Sequence, residues 1–94
     1  MSYIGVIKED EVMSEYIQGR MGFNSENKRY GLLISDLWEI DGFHCGQPLD
    51  YYDYDKEEWI HTRVEMAWPE QEYYLVDTGL QGTDLEGLKI RVEK

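Results

Sequence analysis

The sequence predicts a mainly β fold of the α+β class: a small antiparallel sheet or SH3-like barrel of five to six strands with one short N-terminal helix. Short apolar or alternating runs fill the chain from residue 29 onward, and Gly, Asp and Pro separate these runs. Helical spacing of apolar residues is concentrated before residue 19. A chain of 94 residues has the size of one domain, so we expect residues 1–28 to form an extension that carries the helix and residues 29–94 to form the β domain.

The predicted helix runs from Lys8 to Gln18. Its apolar residues follow helical spacing, and they are Val12, Met13, Tyr16 and Ile17. Three acidic residues, Glu9 to Glu11, stand at its start, where the helix dipole favours negative charge. Gly19 and Gly22 are expected to end the helix, and the polar residues 24–28 form the turn that follows.

The β domain is predicted to contain six strands: Arg29–Ile34, Leu37–Ile40, Leu49–Tyr54, Trp59–Ala67, Tyr73–Val76 and Leu88–Val92. Alternation is clearest in the last strand, where Leu88, Ile90 and Val92 share one face and Lys89, Arg91 and Glu93 share the other, polar face. Residues 55–58 supply a hairpin turn, and residues 68–72 supply another. Residues 83–87 predict a single helical turn that Gly87 stops before the last strand.

Negative charge is the main bulk property of the chain. It has 20 acidic and 9 basic side chains, a formal net charge of −11. Residues 36–86 contain fourteen of the carboxylates but only two basic side chains, Lys56 and Arg63. Such a field repels nucleic acid and anionic lipid and accelerates the approach of basic proteins. We therefore expect no direct binding of nucleic acid or membrane, although the charge would equally serve only to keep an aromatic-rich protein in solution.

The sequence also sets expectations for location and chemistry. No apolar run has the roughly 18 residues of a membrane span, and the first residues do not resemble a signal peptide, so a cytoplasmic protein is expected. Cys45 is the single cysteine, which leaves no internal disulfide. No phosphate-binding glycine loop or nucleophile motif is present, so we expect neither catalysis nor a cofactor.

An acidic and aromatic segment, residues 50–58, contains five carboxylates and three tyrosines. Carboxylates two residues apart on one strand face lie roughly 6–7 Å from each other, close to the spacing of phosphates along a nucleic-acid strand. The segment therefore predicts a surface that imitates nucleic acid, and the alternative is a solvated hairpin edge whose charge prevents aggregation. The expected partner-binding residues are Asp50, Tyr52, Asp53, Tyr54, Asp55, Glu57, Glu58, Glu70 and Glu72.

His44, Cys45 and His61 form a weaker candidate site. Imidazole and thiolate are zinc ligands, but adjacent strand residues point to opposite faces and the spacing is not that of a closed zinc site. A structural role is the alternative, with Cys45 as a small buried group and His44 capping backbone atoms. Arg63 and Glu65 are expected to form a surface pair.

Four segments occur in an order and spacing that resemble the DUF5348 family: residues 42–46, 59–66, 73–76 and 85–92. The resemblance runs from about Tyr30 to Val92. It implies a small β domain of a kind common in Gram-positive bacteria and in their phages and mobile elements, and it implies no catalytic residues. The N-terminal extension and the acidic segment depart from the family pattern.

Two functions are consistent with these observations. The first is a non-enzymatic acidic inhibitor, encoded by a phage or mobile element, that occupies the basic channel of a nucleic-acid-binding protein; its sharpest form is an anti-CRISPR protein acting on a Cas nuclease. The second is an accessory interaction domain that makes contact through the N-terminal helix or an apolar sheet edge. A minor third is a zinc-binding regulator that uses His44, Cys45 and His61. In each case a monomer or weak homodimer is expected.

Overall fold

The computed structural model describes residues 15–68 and 72–94, and in these residues seven antiparallel strands form one curled sheet. The strands are β1 (Tyr16–Asn24), β2 (Arg29–Ile34), β3 (Leu37–Ile40), β4 (Pro48–Asp53), β5 (Glu58–Ala67), β6 (Glu72–Leu75) and β7 (Lys89–Glu93). A 3₁₀ helix, Gly82–Leu85, precedes β7. Among the described residues, no helix is long and apolar enough to cross a bilayer.

The last strand lies in the middle of the sheet, because the strand order is β3-β2-β1-β7-β4-β5-β6. Arg91 of β7 is opposite Gln18 of β1 on one side and opposite Asp50 of β4 on the other. The two three-stranded units, β1–β2–β3 and β4–β5–β6, are therefore joined as one sheet through β7.

The core lies on one side of the curled sheet. Alternation along each strand directs one set of apolar side chains to this side, where Met21, Leu32, Val64 and Ile90 are fully buried. Phe43 and Leu85, from the connections between strands, fill the remaining space and are also buried. The core residues are Met21, Tyr30, Leu32, Phe43, Leu49, Val64, Tyr73, Leu75, Leu85, Ile90 and Val92.

All six predicted strands are present. Arg29–Ile34 and Leu37–Ile40 have the predicted bounds, the strand predicted over Trp59–Ala67 begins one residue earlier, and the other three are shifted by one residue at both ends. The helical turn before β7 is also present, as the 3₁₀ helix. The turn expected at residues 68–72 cannot be compared over residues 69–71, which lie outside the described residues.

The N-terminal helix is not confirmed. Residues 8–14 lie outside the described residues, and Tyr16, Ile17 and Gln18 belong to β1, a strand that the sequence analysis missed. The boundary at residue 28 falls in the β1–β2 turn, so residues 16–24 belong to the sheet. Position 19, inside β1, is a glycine because a Cβ atom there would collide with the carbonyl oxygen of Leu33.

The sheet has seven strands instead of five to six, and of the two predicted architectures it is the small antiparallel sheet, curled into a half-barrel. Its two edge strands are β3 and β6. The β6 edge is covered by the chain itself, since Tyr74 bridges to Gln81 and the Leu75 N–H donates to the Leu80 carbonyl oxygen at 3.0 Å. At the β3 edge, Leu37 is 73% exposed.

Candidate functional site

The acidic segment forms the β4–β5 hairpin. The register places Asp50 opposite His61, Tyr52 opposite Trp59 and Asp53 opposite Glu58. Asp53 organises the turn: its Oδ1 accepts hydrogen bonds from the backbone N–H groups of Asp55 at 2.9 Å and Lys56 at 3.1 Å. Glu57 completes the turn in the left-handed region, with φ 55°. This part of the hairpin, Asp53–Glu58, is called the hairpin tip below.

The hairpin tip carries four carboxylates, those of Asp53, Asp55, Glu57 and Glu58, against the single ammonium of Lys56. Across the described residues, none of the four makes an ion pair. Because Asp53 and Glu58 are opposite each other in the antiparallel register, their carboxylates share one side of the hairpin. Like charges held this close repel each other and favour a cationic partner.

Tyr54 gives the hairpin tip an aromatic surface. It is 69% exposed, and its ring lies edge-on to Tyr52 at a centroid distance of 4.9 Å. The aromatic contact restrains the tyrosine without burying it. A rigid, exposed tyrosine beside free carboxylates suits a protein-binding surface, because little side-chain entropy is lost on contact.

Asp50 is part of a different arrangement. The Arg91 Nε–H donates to its Oδ2 at 2.9 Å, and the Nδ1 atom of His61 lies 2.7 Å from its Oδ1. Its side chain is only 13% exposed. The expectation that Asp50 contributes to an exposed negative surface is therefore wrong, because a cation on the neighbouring strand neutralises it.

Asp50 lies on the outer face of the sheet, the side away from the core. Strand alternation places eleven aromatic or charged side chains there from four adjacent strands: Tyr16, Arg20, Asp50, Tyr52, Trp59, His61, Arg63, Glu65, Lys89, Arg91 and Glu93. The guanidinium carbon of Arg91 lies 4.3 Å from the ring centroids of both Tyr16 and Trp59. The Nζ atom of Lys89 lies 5.0 Å from the Tyr52 centroid.

Two cations of the outer face, Lys89 and Arg91, thus stack on aromatic rings. This cluster is not predicted from the sequence. The alternation of Lys89 and Arg91 predicted a polar face, but the aromatic partners come from β1, β4 and β5, and their neighbourhood depends on the strand order.

The remaining expected partner-binding residues do not join the hairpin tip. Glu70 lies outside the described residues. Glu72 is exposed and pairs with Ala67, at the end of β5 opposite the tip. The ends of a ten-residue strand lie about 30 Å apart. The nine residues therefore do not form one contiguous surface.

Further carboxylates are paired elsewhere. Asp36 pairs with Arg20, and the Arg63 Nε–H donates to Glu65 at 2.9 Å, as expected for that surface pair. Nine described carboxylates outside the hairpin tip also make no ion pair, so the tip is distinguished by the number of its carboxylates in six consecutive residues.

Glu72 and Glu86 influence the pKa of a core tyrosine, Tyr30. Tyr30 is 7% exposed, and its hydroxyl donates to the Gly82 carbonyl oxygen at 2.9 Å. Burial raises the pKa of Tyr30, and the negative charges of Glu86 and Glu72 raise it further. The phenol is therefore held in its neutral form.

The zinc-site residues are not brought together. The Nδ1 atom of His44 lies 3.2 Å from a guanidinium nitrogen of Arg29, while His61 contacts Asp50 on the outer face. Cys45 is exposed, so the expectation of a buried thiol is wrong. Within residues 15–68 and 72–94, no three His, Cys, Asp or Glu side chains form a cluster suited to a metal ion.

Comparison with known proteins identifies a family. A family model described as a domain of unknown function, DUF5348, matches residues 19–92. This range includes β1 from Gly19 and extends to Val92 in β7. No curated protein and no solved structure matches the chain.

Proposed function

The chain belongs to the DUF5348 family, and from the charge at its hairpin tip we propose that it is a non-enzymatic binding protein that occupies the basic nucleic-acid-binding surface of another protein. One observation carries the proposal: four carboxylates lie within the six residues of the hairpin tip, and in the described residues none of them makes an ion pair. Free carboxylates keep their full attraction for a cationic partner.

The geometry of the tip supports binding to a groove. A hairpin end is narrow, since adjacent strands lie about 4.8 Å apart, so it enters a channel that a flat sheet face cannot enter. Exposed Tyr54 supplies contact area beside the charges. In its most specific form, the partner is a Cas nuclease and the protein is an anti-CRISPR inhibitor.

The test uses two triple variants with the same net charge. The tip variant carries Asp53→Asn, Asp55→Asn and Glu58→Gln; the amide that replaces the Asp53 carboxylate keeps an oxygen that accepts the turn hydrogen bonds. The control variant carries Asp36→Asn, Glu39→Gln and Asp41→Asn, in and around β3. Binding of each variant to guide-loaded Cas nucleases and to other basic nucleic-acid-binding proteins is measured by calorimetry at low salt, with nucleic acid as competitor.

We expect the unmodified chain to compete with nucleic acid and the tip variant to lose affinity. Exposed ion pairs contribute about 0.2–1 kcal/mol each, so three lost pairs correspond to a loss of affinity of about 3- to 160-fold. The control variant should lose much less. Equal losses in both variants would show that only net charge matters, and an absence of competition by nucleic acid would exclude the proposed mode of binding.

A second candidate function rests on the β3 edge. Leu37, Trp38 and Ile34 are exposed there, at 73%, 39% and 38%, while the β6 edge is covered. Under this alternative the protein is an accessory domain that contacts a partner through an apolar sheet edge, and its charge serves solubility. Leu37→Ser would then abolish binding to a partner that the tip variant still binds.

A further inference from the structure

We propose that the β3 edge binds an extended segment of a partner protein in which basic residues alternate with apolar ones, and that this segment pairs with β3 as a further strand of the sheet. The inference rests on the second candidate function and names the chemistry of its partner. It is independent of the hairpin tip, which belongs to the β4–β5 hairpin.

β3 is an edge to which another strand can be added. Its backbone pairs with β2 on one side, and within residues 15–68 and 72–94 no strand pairs with its other side. The opposite edge of the sheet differs, because Gln81 bridges to β6 there. An unpaired edge presents a row of backbone N–H and C=O groups, and an extended chain can form hydrogen bonds with them.

The two faces of β3 offer different side chains. The register places Leu37 opposite Ile34 and Trp38 opposite Leu33, so Leu37 and Trp38 lie on opposite faces of the sheet. Leu37 and Ile34 form an aliphatic pair, and they are 73% and 38% exposed. An added strand would cover this pair with the apolar side chains of one of its own faces.

Trp38 lines an open hollow beside the edge, with a volume of about 500 Å³. Its indole lies over two glycines that are opposite each other in β1 and β2: a Cβ atom would be 3.6 Å from the indole at Gly22 and 3.1 Å from it at Gly31. Trp38 nevertheless remains 39% exposed. Because the indole ring attracts cations more strongly than other aromatic side chains, a basic side chain of the added strand would find a partner here.

The hollow is negatively charged. Besides Trp38 its lining residues are Asn24, Glu26, Glu39, Ile40 and Asp41, none of which is basic. In the part of the chain that the structure describes, none of these three carboxylates makes an ion pair. An indole beside free carboxylates suits the ammonium group of a lysine or the guanidinium group of an arginine.

The same charge disfavours a second copy of the chain as the occupant. Each copy has a formal net charge of −11, and pairing of β3 with the β3 of another copy brings the two sets of carboxylates together. A basic segment is instead attracted by the charge that keeps two copies apart. Charge complementarity therefore favours a basic partner at this edge.

The test uses short synthetic peptides in which lysine alternates with valine, and a control peptide in which glutamate replaces every lysine. Two further peptides keep the lysine and valine side chains but carry backbone N-methyl groups, at the lysines in one and at the valines in the other. Because the N–H groups of successive strand residues point to opposite edges, only one of these peptides loses the donors that face β3. Binding to the full chain is measured by calorimetry at low salt and by NMR amide shifts.

Two double variants with the same net charge test the site itself. The edge variant carries Glu39→Gln and Asp41→Asn. The control variant carries Asp77→Asn and Glu93→Gln, at two exposed positions outside β3 and its hollow. Trp38→Leu tests the indole separately, and the amide spectrum of each variant shows whether it is folded.

We expect the lysine peptide to shift the amide signals of Leu37–Ile40 and the glutamate peptide to leave them unchanged. The edge variant should bind the lysine peptide about 2- to 30-fold more weakly, the equivalent of two exposed ion pairs, and Trp38→Leu about 2- to 5-fold more weakly. The control variant should keep its affinity. One of the two N-methylated peptides should bind much more weakly than the other.

Equal losses in the edge and control variants, or equal affinity of the two N-methylated peptides, would overturn the proposal, because binding would then depend on charge without strand pairing. A dimer in light scattering that Leu37→Ser dissociates would also overturn it, since a second copy would occupy the edge. If Leu37→Ser abolishes binding only to a partner without basic residues, the second candidate function stands and the basic chemistry assigned to its partner is wrong.

Discussion

The hydroxyl of Tyr30 is a polar group in the core of the protein. The hydroxyl is satisfied by the Gly82 carbonyl oxygen, and the ring lies edge-on to Phe23 and Tyr73, at centroid distances of 5.2 and 6.1 Å. Burial, together with Glu86 and Glu72, raises its pKa above 10.0. The stability of the protein is therefore linked to the protonation of this phenol.

The sign of that linkage gives the first prediction. Below pH 10 Tyr30 is neutral in both the folded and the unfolded chain, so its protonation does not affect stability. As the pH rises above 10, the unfolded phenol ionises first, and the free energy of unfolding falls until the pH reaches the higher folded pKa. Urea unfolding should show a steeper alkaline loss of stability for the unmodified chain than for Tyr30→Phe.

Tyr30→Phe also loses the hydrogen bond to Gly82, so below pH 10 it should be less stable by about 0.5–1.5 kcal/mol. Glu72→Gln combined with Glu86→Gln should reduce the alkaline difference, since both charges raise the tyrosine pKa. Parallel pH profiles for the unmodified chain and Tyr30→Phe would contradict the assignment.

At the scale of the strands, Asp50 connects three adjacent strands. It belongs to β4, accepts a hydrogen bond from Arg91 of β7 and contacts His61 of β5. The two side chains of the Asp50 and Arg91 pair are 13% and 25% exposed, whereas those of the Arg20 and Asp36 pair are 47% and 83% exposed. The two ion pairs therefore allow the stability contribution of a shielded contact to be compared with that of a solvated one.

Asp50→Asn should lower the free energy of unfolding by about 1–3 kcal/mol, because Arg91 loses a charged partner in a shielded position. Asp36→Asn removes the same charge and should cost less than about 1 kcal/mol, since an exposed pair contributes little. Urea denaturation of both variants measures the difference. Equal costs would show that the sheet does not depend on the Asp50 contact.

The sequence predicts the elements whose signals are local. β2 and β3 have their predicted bounds because alternating residues and turn residues lie next to each other in the chain. β1 was missed because Tyr16 and Ile17 fit a helix as well as a strand, and because Gly19 suggested an end. Position 19 requires glycine because a Cβ atom would collide with the carbonyl oxygen of Leu33, which is fourteen positions away in the sequence.

The candidate site was predictable to the same degree. The acidic turn was recognised, since its residues are consecutive and the turn is local. The neutralisation of Asp50 was not, because Arg91 is 41 positions away and becomes its neighbour only through the strand order. The outer face depends on the same long-range pairing and was missed for the same reason.

At the scale of the whole molecule, the net charge of −11 opposes folding through self-repulsion. Salt shortens the range of that repulsion, from a Debye length of about 30 Å at 0.01 M to about 8 Å at 0.15 M. We expect the melting temperature to rise over this interval, as measured by circular dichroism. The rise should be smaller for the variant with three neutralised tip carboxylates, and a fall with added salt would show that attractive ion pairs dominate.

The central position of β7 affects how the protein is made. During synthesis, the ribosome releases β1–β2–β3 first and β4–β5–β6 next, while the strand that connects them emerges last. Until then, β1 and β4 each present a row of unpaired backbone groups that a neighbouring nascent chain is able to join. The newly made polypeptide is therefore most vulnerable to misassembly in the interval between the release of β6 and that of β7.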